Sequence, residues 1–309
     1  MRDTRTRIRA IVFGAAAVML VCLSPSAAER GKIRVAVTEP DIASIVQAVG
    51  GSQVEAFPLF KGCILRKDLA VEPAAKGKLA SADAVVWTGF LNESAAIDAC
   101  VATLPAQSAS AFGKASWIDV SRDASRVNVP ASTCTGYVDA SFMSGDPFFW
   151  LNPMNGAVIA RNAAEGLGDL RPASRAYFLA NADAFSRSLQ KDIVRWKKEL
   201  AALGAMRIFS AQCGWQNFSQ IGGPTFAACR TKPGVLPTPK RLADEVKSLG
   251  VQVVIVDPNT PPAYGRAFRT ITKARVVEVP SSVEDLQGAK NYGALFDHLV
   301  GVLKSVSKG

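Results

Sequence analysis

Thirty-one consecutive residues, 173–203, contain neither glycine nor proline, and their apolar members recur at helical spacing. Phe178, Ala182, Phe185, Leu189, Ile193, Trp196, Leu200 and Leu203 stand 4, 3, 4, 4, 3, 4 and 3 residues apart, which places them on one stripe of one helix. At 1.5 Å per residue such a helix reaches roughly 46 Å, long enough to lie along two lobes as a spine. The alternative is two helices broken near Asp183. Few folds of ordinary size accommodate so long an element, so what flanks it decides the architecture.

Both flanks read as α/β. Ahead of the stripe, β-rich runs at 33–38, 54–59, 84–87 and 116–120 alternate with helical patterns at 41–49, 73–81 and 93–104. Behind it, β-rich runs at 207–210, 251–256 and 275–279 alternate with helices opening at Thr238-Pro239, near Pro262, and over 292–306. Thr238 can cap and Pro239 suits the first helical position. Strands alternating with helices predict parallel sheets. The expected fold is therefore α/β with two lobes, each a mainly parallel sheet flanked by helices, joined by the spine. The expected divisions are 1–28, an N-terminal lobe 29–171 with a surface loop 121–145, the spine 172–203, and a C-terminal lobe 204–309.

The first 28 residues read as an export signal. Arg2, Arg5, Arg7 and Arg9 precede a 13-residue apolar run, 10–22, and Ser26 and Ala28 suit signal peptidase. Cleavage after Ala28 and a periplasmic product are expected. An uncleaved anchor is the alternative, but a spanning helix needs about 20 apolar residues. The chain has 36 Lys and Arg against 26 Asp and Glu; without residues 1–28 these become 32 and 25, about +7. With 49% hydrophobic and 20% charged residues, the composition excludes a disordered tail or a coiled coil. The basic excess is dispersed, with short clusters at 195–198 and Lys240-Arg241, and no aromatic-basic motif supports nucleic-acid binding.

Five cysteines follow the signal: Cys63, Cys100, Cys134, Cys213 and Cys229. Exported cysteines mostly pair, and an odd number leaves at least one free or paired outside the chain. Cys213 with Cys229 is the expected bridge, because a loop around Gly222-Gly223-Pro224 can return the chain on itself. No Cys-x-x-Cys pair suggests a zinc knuckle or a dithiol redox site.

The segment Asp146-Pro147-Phe148-Phe149-Trp150-Leu151-Asn152-Pro153, followed by a helix containing Ala160-Arg161-Asn162, resembles the Asp-Pro-His-x-Trp-Leu-Asp-Pro signature of the zinc- and manganese-type periplasmic binding proteins of ABC importers. Glu72-Pro73 ahead of Leu79-Ala80-Ser81-Ala82-Asp83-Ala84-Val85-Val86 and Gly89, the spine, and 209–215, which is similar to a Phe-His-x-x-x-Gly-Tyr segment, extend the match over nearly the whole exported chain. The resemblance implies two lobes on a rigid helix, a small ligand held between them, and delivery to an ABC permease in the inner membrane, by a monomer. It also implies a metal held by three His and one carboxylate, or two of each.

Here the sequence departs from its relatives. The single His is His298, on the last helix; Arg66-Lys67-Asp68 occupy the first ligand loop, Phe148 the second position, Ser210 the third, and Glu278 or Val279 the fourth. Zinc at high affinity wants thiolates or imidazoles and manganese wants several anionic or imidazole donors. Phe148 offers none, and a basic loop repels a cation. The inherited site therefore reads as degenerate, and the sequence leaves the cofactor unknown.

The cleft implied by the resemblance contains Arg66, Lys67 and Asp68 from one lobe, Phe148 and Trp150 from the junction, and Ser210, Gln212, Cys213 and Trp215 from the other lobe, with Asp257 and Glu278 at strand ends. Aromatic and basic groups together suit a metal chelate or an organic anion. The plain alternative is that Phe148 and Trp150 fill the vacated cavity. Cys63, Cys134 and Cys213 near the cleft would suit a soft metal such as copper(I), unless they form disulfides. Asp257 offers a carboxylate or caps a turn, and His298 with Asp297 reads as a surface pair. Catalysis lacks support, since there is no Gly-x-Ser-x-Gly elbow and no Gly-x-Gly-x-x-Gly after a first strand. The alternatives to transport are a periplasmic partner-binding protein and an enzyme using cleft carboxylates.

Overall fold

The computed structural model describes residues 31–60, 71–89, 93–126, 146–211, 214–227, 237–258, 260–288 and 290–307. The expected export signal, most of the loop 121–145, Arg66, Lys67, Asp68, Gln212 and the expected Cys213–Cys229 bridge lie outside these residues, as do Cys63 and Cys134. Cys100, half-buried, carries a free thiol.

Two four-stranded parallel sheets are built in the same way. In the first, β1 (Ile33–Val37), β2 (Val54–Pro58), β3 (Ala84–Trp87) and β4 (Ser116–Asp119) lie in the order β2-β1-β3-β4. In the second, β5 (Arg207–Ser210), β6 (Thr225–Ala227), β7 (Val253–Val256) and β8 (Arg275–Glu278) lie in the order β6-β5-β7-β8. Helices α1 (Pro40–Gly50), α2 (Pro73–Leu79), α3 (Glu93–Val101) and α4 (Ala106–Phe112) connect the first set, and α7 (Pro239–Ser248) and α8 (Pro262–Ile271) the second. Central strands are apolar without alternation, Val35-Ala36-Val37 and Val253-Val254-Ile255-Val256 being buried throughout, because helices cover both faces of such sheets. In each sheet the chain leaves its first strand toward one side and later returns on the other. The strand order therefore reverses between β1 and β3, and again between β5 and β7. Crevices at such reversals, beyond the strand C-termini, are where open α/β sheets bind ligands.

The spine is one continuous helix. After α5 (Pro153–Leu170) and a 3-10 turn at Pro172–Ser174, α6 runs from Arg175 to Ala201, 27 residues or about 40 Å, with no break at Asp183. Phe178, Ala182, Leu189, Ile193, Trp196 and Leu200 are buried, while Phe185 and Leu203 pack partly buried against the same core. The stripe is held by both lobes: Asn181 Nδ2 donates to the Val49 carbonyl at the end of α1 (2.9 Å), and α9 (Tyr292–Ser307) packs Phe296 on Trp196, centroids 5.2 Å apart. One apolar core runs from β1 through the spine to β5, β7 and α9. A smaller one, around Phe209, Leu242, Val254 and Phe268, lies under α7 and α8. Among the described residues no helix is long and apolar enough to cross a membrane.

Three differences from the sequence expectations have local causes. Thr238 caps α7 as expected, accepting from Arg241 N at 3.4 Å, but β6 and α4 carry no clear sequence pattern. β6 has three residues at a sheet edge and α4 reads Ala-Gln-Ser-Ala-Ser-Ala-Phe, each too short or too weakly patterned to mark its period. The first β-rich run ends at Val37, because Pro40 opens α1 and takes the chain out of the sheet.

Candidate functional site

The edges where strands end carry carboxylic acids. β1 runs out into Thr38 and Glu39, and Glu39 precedes Pro40 at the start of α1, with Asp41 in the first turn. An acid there is favoured by the helix N-terminus, but Asp41 is buried and is used in two directions. Its Oδ2 accepts from Trp150 Nε1 (3.1 Å) and its Oδ1 from the Val283 backbone N–H (2.8 Å). One carboxylate thus ties α1 to the 3-10 turn Phe149–Leu151 and to the turn Val283–Asp285 of the second lobe. Glu93 opens α3 beyond β3, and its Oε2 accepts from the N–H groups of Thr88 (2.9 Å) and Gly89 (3.1 Å). Asp146 spans the junction too: Oδ1 accepts from Phe148 N (2.8 Å) and Oδ2 from the Gln216 side chain of the second lobe.

These acids resist ionisation. Burial raises Asp41 to about 7; the Val283 and Trp150 donors oppose the rise, while Glu284 and Asp285 add to it. Burial likewise takes Glu93 to about 7, opposed by the polar groups of nearby Thr38, Thr88 and Gly89, and Asp146 to about 7 against the donors at Phe148, Gln216 and Asn217. Glu39 is pushed well above the carboxylate range, by burial first and then by Glu93, Asp41 and Glu284. None of Glu39, Asp41 and Glu93 is paired with a Lys or Arg among the described residues.

The aromatic part of the expected cleft is packed shut. Phe148 and Trp150 are 1% and 2% exposed, edge to face at 5.4 Å, and the Tyr292 hydroxyl donates to the Trp150 carbonyl. Trp215 is buried against Phe218 and Phe296, its indole N–H without a partner among the described residues. Ser210 ends β5, half-buried, beside Ile255. Asp257 ends β7 and accepts both the backbone N–H (2.9 Å) and the hydroxyl (2.6 Å) of Ser281, joining β7 to the segment after β8. Glu278 is exposed on the edge strand β8. His298 lies on α9 next to Asp297, which binds Arg195 (2.6 Å) and Trp196 Nε1 (2.8 Å).

The structure thus groups Glu39, Asp41, Glu93 and Glu284, which the sequence patterns do not single out, around the junction that Phe148 and Trp150 close. The available signal was position: acids two to six residues past strands β1, β3 and β8. Among the described residues no three His, Cys, Asp or Glu side chains converge as a metal-ligand set.

Comparison with known proteins decides the family. The family model for ZnuA, zinc-uptake complex component A, periplasmic, matches residues 35–306. The chain belongs to the ZnuA family. Among curated ZnuA relatives, the high-affinity zinc uptake system protein ZnuA of Brucella abortus (strain 2308) is 28% identical over 164 residues, covering 52% of this chain and 49% of the relative. The chain therefore matches about half the length of that relative. The ZnuA-like architecture extends further. A crystal structure of a ZnuA deletion mutant (138–173) with zinc bound aligns with a TM-score of 0.68 at 17% identity, over 89% of this chain and 97% of that one. The periplasmic zinc-binding protein TroA from Treponema pallidum aligns at 0.66 and 17%, over 90% and 99%, and the binding protein FpvC from Pseudomonas aeruginosa, in complex with Mn2+, at 0.65 and 18%, over 90% and 97%. At these identities the likeness is one of fold: two parallel sheets and a long helix between lobes.

Within that fold Asp41 is the most heavily used acid. Asp41→Ala leaves two buried donors, Trp150 Nε1 and Val283 N, without an acceptor. At pH 6 the variant is expected to lose about 2 kcal/mol in urea unfolding, given roughly 1–3 kcal/mol for each orphaned group and partial relaxation. A loss under about 0.5 kcal/mol would show that these bonds do not hold the junction.

Proposed function

We propose that the chain is the extracytoplasmic binding component of an ABC importer, exported with cleavage after Ala28, acting as a monomer that captures a small cargo between its lobes and passes it to a permease in the inner membrane. Family membership over 35–306 supports the transport role, and the role is one of binding, not catalysis. The observation that bears most on the cargo is Phe148, buried against Trp150 where the resemblance implies a metal-binding His. A phenyl ring donates no electron pair to zinc or manganese, so the cargo is a metal wrapped in an organic chelator rather than a bare ion. Arg66, Lys67, Asp68, Ser210, Gln212, Cys213, Trp215, Asp257 and Glu278 remain the proposed second set of cleft residues around it.

The test is native mass spectrometry with elemental analysis on the mature chain, purified from periplasm without chelators or affinity metals. An organic mass, with or without metal, is the expected bound species. Deletion of the gene should abolish uptake of that species. Stoichiometric zinc or manganese with no organic mass would overturn the chelate, and uptake undiminished by the deletion would overturn the transport role.

A further inference from the structure

Among the described residues, two carboxyl oxygens in the junction make no hydrogen bond. Glu39 Oε1 and Glu93 Oε1 are buried from solvent and without a partner there, and the Thr38 hydroxyl is likewise unpartnered. They are not scattered: Glu39 follows β1 and Glu93 follows β3, the two strands between which the order of the first sheet reverses. That reversal is the position where ligands of open α/β sheets are held. The charges of Glu93, Asp41 and Glu284 all raise Glu39, after burial itself. The neighbouring oxygens are already in use. Glu93 Oε2 takes Thr88 and Gly89 N–H, and both Asp41 oxygens are bonded.

We propose that Glu39 and Glu93 receive a positively charged N–H group of the cargo, a primary ammonium or a guanidinium. Such a group presents several donors at once and carries the positive charge that no described residue supplies to the pair. A bare metal ion would need further donors from the described residues, and none converge there. The N–H group replaces the protons that keep the empty acids neutral, so binding releases protons near neutral pH. The turn Val283–Asp285 approaches the pair from the second lobe, joined to α1 through the Val283 to Asp41 bond, and it withdraws to admit the group. The inference rests on the transport reading and narrows it: the chelator or organic body carries an amine or guanidine.

The experiment uses the full mature chain. The species retained in native mass spectrometry is identified; if none is retained, putrescine and agmatine are titrated by calorimetry at pH 6.5 and pH 8 in two buffers of unlike ionisation heat. An amine- or guanidine-bearing species, or probe binding that releases protons at pH 6.5 and weakens at least tenfold in Glu39→Gln and Glu93→Gln, is the expected result. Both variants remove a buried acid that can ionise and should melt no lower than the wild type at pH 8, which separates loss of binding from loss of fold. A retained anion without amines, or a bare metal, overturns this inference and leaves the binding-protein reading standing. Absence of a retained species together with no binding of either probe overturns it as well; the transport reading is then judged separately, by the gene-deletion uptake assay.

Discussion

Lowering the pH from 8 to 5.5 is expected to raise the melting temperature of this protein, where many proteins begin to lose stability. The cause is the group of buried acids at the lobe junction. Asp41, Glu93 and Asp146 hold their protons in the folded state up to about pH 7, and Glu39 beyond that, whereas in the unfolded chain Asp and Glu release them near pH 4. Between those limits the folded state binds more protons, so stability falls as pH rises. The stabilisation is fully present below about pH 4 and is lost as pH climbs through about 7. An acid that keeps its proton through one further pH step of 1 in the folded state stabilises that state by about 1.4 kcal/mol, but relaxation and water entry reduce the realised effect. A total gain of about 3–6 kcal/mol between pH 8 and pH 5.5 is a fair expectation, or a rise of at least about 6 °C for a chain of this size. Calorimetry across that range checks it, and the Asp41→Asn and Glu39→Gln variants should flatten the slope. A melting temperature that is level or falls on acidification would mean that the acids are solvated or paired.

Gly214→Ala is expected to cost about 3 kcal/mol or more, combining backbone strain with overpacking. Gly214 has φ +107°, where an L side chain is strained, and an added Cβ would stand 2.7 Å from Leu151 Cδ1 and 2.9 Å from Phe148 Cβ. The second lobe touches the closed aromatic junction here, so the substitution strains one backbone and pushes on the other lobe. Gly222→Ala is the control. Its φ is +92° but nothing lies within 4 Å of the added Cβ, so only the backbone cost of roughly 1 kcal/mol remains. Urea unfolding of the two variants side by side decides the matter, since equal losses would show that contact with Phe148 carries no energy.

Regular elements were legible where a period repeats often enough to stand out. The spine announced itself over 31 residues, and β3 and β5 fall where β-rich runs predict them. The resemblance in 146–153 led to the family, because Asp146, Trp150, Leu151 and Pro153 do local work. Asp146 caps the Phe148 N–H, Trp150 reaches Asp41, and Pro153 opens α5. The site was far less legible. Glu39, Asp41 and Glu93 are ordinary acids in ordinary contexts, at helix starts where acids are common. Asp257 reads in the sequence either as a ligand or as a turn cap, and only the structure supplies its bonds to Ser281.

The sequence by itself determined the periods, the breaks and the missing imidazoles, since these depend on residue type and near neighbours along the chain. It thereby set two mainly parallel sheets and a long helical stripe between them, with a single His in the whole chain. Tertiary structure alone decided which side chains share a dielectric. Asp41 meets Trp150 from 109 residues away and Val283 from 242 residues away, and only that convergence turns scattered acids into a buried, proton-holding cluster. The physical reason is that desolvation and charge repulsion depend on distance through space, a quantity that strand order and lobe packing supply.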